Sequence, residues 1–147
     1  MRVLFASAAL LAATLPAAAV QVRDCDFAAS LQTIVEPWEK NIRSYYDGKV
    51  RVALVDTWGE PACCSTHLVI MIPNNDETAH SRICKVVGDN GTNGYQDIQI
   101  SRIKTRYDAG RGLLIEFPFK RYVDGVRFQP GLGRVRVNLQ RSTIGAE

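Results

Sequence analysis

The sequence predicts a mainly β protein: an antiparallel β-sandwich, immunoglobulin-like or similar, of seven or eight strands with a short N-terminal helix and two disulfides. Three observations predict it. Apolar residues recur with period two over most of the chain after Asn41, turn-forming dipeptides separate these runs, and four cysteines sit in a chain of only 147 residues. Apolar residues at 46% and charged residues at 22% are globular values that exclude disorder. A mean hydropathy of -0.08, with no long apolar run after the N-terminus, argues against a transmembrane segment.

The elements follow in chain order. Residues 1–19 have the pattern of an export signal: Arg2, an apolar run from Val3 to Leu15, the breaker Pro16, then Ala17 and Ala19 in small-x-small spacing. Cleavage after Ala19 leaves residues 20–147 as a single domain, expected to be periplasmic or secreted. From Asp26 to Trp38, Phe27, Leu31, Ile34, Val35 and Trp38 are near helical spacing. Asp24 or Asp26 is placed to cap that short helix, Pro37 would break its last turn, and a strand over Leu31–Val35 competes with it.

Asp47-Gly48 lies between Ile42–Tyr46 and Lys49–Thr57 and predicts a hairpin with a two-residue turn. Cys63–Ile72 holds the unbroken run Leu68-Val69-Ile70-Met71-Ile72, expected for a central strand covered on both faces. Arg82–Val87 reads as a strand carrying Cys84, and Gly88–Gly94 as a loop with two Asn-Gly steps. In Asp97–Thr105, Ile98 and Ile100 point inward, with a shift before Ile103 that suggests a bulge. Leu113–Tyr122 alternates through Leu113, Ile115, Phe117 and Phe119, and Pro118 marks an edge or bulge. Asp124-Gly125 is a second tight turn. After a turn at Pro130–Gly133, Arg134–Gln140 places Val135, Val137 and Leu139 inside.

In an exported domain Cys25, Cys63, Cys64 and Cys84 read as two disulfides. A Cys63–Cys64 bond would join neighbours in a strained ring and leave Cys25–Cys84 as the sole long-range link, so that pairing ranks last. On a strand the two neighbouring thiols face opposite ways, which favours Cys25–Cys63 with Cys64–Cys84 slightly over the swapped pairing. Each closure of roughly 20 to 40 residues would contribute about 3 to 4 kcal/mol in the chain-entropy model.

The stretch Trp38–Thr57, with Asn41, Arg43, Asp47-Gly48, Val50 and Ala53-Leu54-Val55-Asp56-Thr57, resembles a segment of small exported proteins of proteobacteria. Tyr107-Asp108, Gly112-Leu113 and Arg121-Tyr122 are similar to a second segment of those proteins. The resemblance implies export and β structure and transfers no functional residue.

No catalytic signature stands out, and the expectation is a non-catalytic module without a cofactor. Cys63, Cys64 and His67, with Met71, are the residue types that bind copper or zinc, but thiols engaged in disulfides cannot also ligate metal. Ser65 and His67 could be drawn as a hydrolytic dyad, though no Gly-x-Ser-x-Gly elbow accompanies them. Asp89–Ile100 matches a calcium loop only in part, with Gly91 and Ile100 where anionic ligands belong.

Charge is distributed unevenly. Residues 20–100 carry seven basic and eleven acidic side chains, whereas residues 101–141 carry ten basic and three acidic. Lys104, Arg106, Lys120, Arg134 and Arg136 fall on outward strand positions. Together they predict a basic sheet face for an anionic partner, such as lipopolysaccharide phosphates, another anionic envelope component or an acidic protein. Nucleic acid is not expected, since Phe117 and Phe119 point inward and leave no stacking platform among the basic residues.

Overall fold

The computed structural model describes residues 19–58 and 63–147. The segment expected to be an export signal, apart from Ala19, lies outside the described residues. Among the described residues nine strands form two antiparallel sheets: β1 (Gln21–Asp24), β2 (Ile42–Tyr45), β3 (Val50–Asp56), β4 (Thr66–Ile72), β5 (Ile83–Gly88), β6 (Lys104–Asp108), β7 (Gly112–Val123), β8 (Arg127–Asn138) and β9 (Thr143–Ala146). The first sheet has the order β1-β5-β4-β3-β2 and the second β6-β7-β8-β9. The expected sandwich is present, with more strands than the seven or eight expected.

Period-two alternation builds the core between the sheets. Val50, Val52 and Leu54 from β3, with Leu68, Ile70 and Ile72 from β4, meet Leu113, Ile115, Phe117 and Phe119 from β7 and Val135 and Val137 from β8. Tyr95, in the loop between β5 and β6, is fully buried among them. Its ring stacks on Phe119 with centroids 4.0 Å apart, and its hydroxyl donates to the Gly88 carbonyl at 2.6 Å. The hydrogen bond is what allows that polar tip to be buried.

The unbroken apolar run of β4 is covered on both faces, as the pattern implied. On the outer face Val55, Val69 and Val86 pack under Ala28, Ala29 and Ile34 of the segment after β1. That segment is not the predicted helix. It makes two single 3-10 turns, Phe27–Ala29 and Leu31–Thr33, and a four-residue helix α1 (Trp38–Asn41) follows a cis Glu36–Pro37 bond. Polar side chains divert the backbone. Asp26 accepts from Ala28 N–H at 3.0 Å, Ser30 from Gln32 N–H at 3.2 Å, and the Thr33 hydroxyl donates to the Ala28 carbonyl at 2.7 Å. Such local bonds compete with helical ones. Ile34 then bridges to Val55, extending the sheet edge past β2.

The disulfides are Cys25–Cys84 and Cys63–Cys64, the pairing ranked last. The preferred pairing presumed that both neighbours lie on a strand. In fact β4 begins at Thr66, and Cys64 takes a left-handed φ of 76° ahead of it, so strand alternation does not govern the two thiols. Cys84 sits on the covered face of β5, where Cys25 meets it with the Cα atoms 5.4 Å apart. Two disulfides mark an oxidising, non-cytoplasmic setting. Among the described residues no helix is long and apolar enough to cross a membrane.

Other departures are local. The β2–β3 loop spans four residues, because Tyr45 pairs with Val50, with positive φ at Tyr46, Asp47 and Gly48. Of the strand expected over Asp97–Thr105, only Lys104 and Thr105 form one, at the start of β6. The shift before Ile103 is a 3-10 turn over Ile100–Arg102 rather than a bulge, although Ile98 and Ile100 are buried as expected. Pro130–Gly133 continues β8 instead of turning, because Gly131 and Gly133 lie beneath the Phe119 and Phe117 rings, where a Cβ would collide. Pro118 sits just past Glu116, the last residue of β7 paired to β6, so the local edge expected there exists.

Candidate functional site

The two sheets differ in what covers their outer faces. That of the first sheet lies under the segment pinned by Cys25–Cys84. The second sheet presents charged side chains in cross-strand rows. Register places Lys104, Glu116 and Arg134 in one row, and Arg106, Leu114 and Arg136 in the next. Leu114, flanked in its row by the two arginines, is nevertheless only 1% exposed.

All five sequence-predicted basic residues therefore share this face. Their electrostatic states divide them. Arg134 pairs with Glu116 at 2.9 Å, Lys120 with Asp97 at 3.1 Å, and Arg136 with Glu147, which Arg111 also approaches at 3.0 Å. Hydrogen bonds from Gln99 and Lys120 hold the Asp97 carboxyl below the usual carboxylate range, and Arg136 does the same for Glu147. Lys104 and Arg106 on the edge strand β6 are exposed and form no ion pair among the described residues. Beside them a groove is lined by Arg102, Lys104, Glu116, Pro118 and Leu132. Strict alternation from Ile98 and Ile100 would turn Arg102 inward. The shift that the Ile98, Ile100 and Ile103 spacing marks is a 3-10 turn, and it brings Arg102 to the surface.

The residues of the other chemical readings are not assembled for that chemistry. Cys63 and Cys64 are bonded to each other. His67 is fully buried on β4, with Nδ1 2.9 Å from the Ser65 carbonyl oxygen and Nε2 3.2 Å from that of Thr92. Its contact with Ser65 is thus to the backbone and not to the hydroxyl a dyad would need. Burial pushes the imidazole pKa below its ordinary value, against the two carbonyls, which favour the charged ring. Met71 lies four residues further along the same strand, two pleat periods away, and among the described residues no three His, Cys, Asp or Glu side chains converge.

The partial calcium loop is occupied by internal bonds. Asp89 pairs with Arg121 at 2.7 Å, and Asn93 donates to the Asn90 side chain at 2.9 Å. The Asp89–Arg121 pair joins the end of β5 to β7, and the Arg121 guanidinium lies 5.9 Å from the centre of the Phe119 ring, so it closes one end of the core. Comparison with protein-family models, with curated protein sequences and with solved structures gives no match.

Proposed function

We propose that the protein is an exported, non-catalytic binding module that offers the outer face of its second sheet to an anionic partner in the cell envelope or outside the cell. One observation supports this reading above the others: the edge of that bare face carries Arg102, Lys104 and Arg106 together, with no carboxylate bonded to Lys104 or Arg106 among the described residues. Cations that lack a partner of their own, mounted on a rigid sheet, can meet phosphate or carboxylate groups without first breaking an internal ion pair. The Pro118–Leu132 groove beside them adds an apolar seat. The resemblance to small exported proteins and the two disulfides support the exported setting.

The test is retention on immobilised heparin, used as a generic polyanion. Lys104→Gln with Arg106→Gln is expected to elute at markedly lower salt than the parent chain. Arg43→Gln with Lys49→Gln removes the same charge near the edge of the other sheet and should shift elution little. Equal shifts in the two double variants would show that only net charge matters, and would overturn the reading.

A further inference from the structure

The chain has two tryptophans, Trp38 and Trp58, and both line one groove on the edge of the first sheet, opposite in chemistry to the basic face. Its other walls include Leu31, Ile34, Glu36 and Asp56. Val35 N–H bonds the Leu54 carbonyl at 3.0 Å and Ile34 bridges to Val55, so the 31–38 segment is held against the end of β3 and the groove is part of the fold.

Trp58 is 79% exposed, Leu31 70% and Trp38 43%. Indole surface left in water in this amount, gathered in one groove, is the kind of surface that a ligand covers. The polar groups restrict what that ligand can be. Among the described residues no basic side chain lines the groove, and neither Glu36 nor Asp56 forms an ion pair. Indole faces attract cations through their quadrupole, and two carboxylates attract them through charge. Both therefore select a cation with a flat or apolar body.

We infer that this groove docks an extended, arginine- or lysine-bearing segment of a partner polypeptide, the cationic side chain lying between the tryptophans and the carboxylates. The groove, about 500 Å³, is open to solvent, so a small free cation would stay half hydrated, whereas a chain-borne one brings neighbouring residues onto Leu31 and Ile34. This inference is independent of the basic face. It also runs against the chain's overall charge of +3, which repels cations at long range, so binding of a basic peptide has to be local.

Because both tryptophans line the groove, intrinsic fluorescence reads its occupancy directly. The probe is a capped hexapeptide of alternating arginine and alanine, titrated into the oxidised protein, with the glutamate-alanine counterpart as control. A saturable change in tryptophan emission is expected for the arginine peptide alone, with affinity at least tenfold weaker in Glu36→Gln with Asp56→Asn. Trp38→Leu, read through Trp58, should weaken it as well and serves if the acidic double variant does not fold. Undiminished affinity in the variants overturns the proposal. So does tetramethylammonium binding as tightly as the peptide, which would make the ligand a small cation. An emission change that follows protein concentration without any peptide would make the occupant a second copy, and would overturn it too.

Discussion

Cys25 and Cys84 are bonded across 59 residues of sequence, and the bond fastens the segment after β1 to the outer face of β5. Together with the Val35 N–H bond to the Leu54 carbonyl and the Ile34–Val55 bridge, that link holds the segment over the outer face of the first sheet. In the chain-entropy model a loop of this length contributes about 4 kcal/mol. The Cys63–Cys64 ring joins neighbours and closes no loop. Cys25→Ala with Cys84→Ala should therefore lower the urea midpoint far more than Cys63→Ser with Cys64→Ser, whose expected cost is below about 1 kcal/mol.

His67 makes stability depend on pH. A neutral imidazole has one N–H and can bond only one of the two carbonyls facing its ring, yet burial favours that neutral form in the folded state. Arg23 nearby disfavours the charged ring further, while Asp26 acts against this. With the folded pKa below the unfolded one, the unfolded chain binds the extra proton. Stability is then full above the unfolded value of about 6.5 and falls as pH drops from there toward the folded pKa, by at most about 1.4 kcal/mol per pH unit. Denaturant titrations between pH 7.5 and 5 should show this slope in the parent chain and a flatter one in His67→Gln.

Gly133 faces the buried Phe117 ring, and an added methyl would overlap it. Gly133→Ala should cost about 1 to 3 kcal/mol through overpacking. Phe117→Leu, destabilising alone, should recover part of that loss when combined with it, a coupling that a double-mutant cycle on urea midpoints would measure. Additive costs would mean that the ring does not lie where a Cβ would go.

Arg134 is engaged by Glu116 on a partly exposed face, where such pairs are worth about 0 to 1 kcal/mol. Arg134→Gln should therefore barely change the melting temperature. It should also move heparin elution less than Arg106→Gln, although each removes one charge.

Strand alternation made the sandwich, its core and the shared basic face legible, because inward and outward positions follow from period two alone. The failures have a common cause, in that local polar chemistry outweighed periodicity. Ser30 and Thr33 capture backbone groups and break the helix that Phe27, Leu31 and Ile34 suggest. The late start of β4 removes the alternation on which the disulfide pairing relied. The division of the basic face into paired and unpaired cations was hidden for another reason. Glu147 is 11 residues from Arg136 and meets it only because the chain folds back as β9 beside β8.

The most direct test of the functional account is to map backbone amide shifts by NMR while a short heparin oligosaccharide is added. The account predicts the largest changes at Arg102–Asp108 and across the facing part of β7, with the Trp38–Trp58 groove unaffected. Changes centred on the first sheet, or spread evenly over the surface, would contradict it.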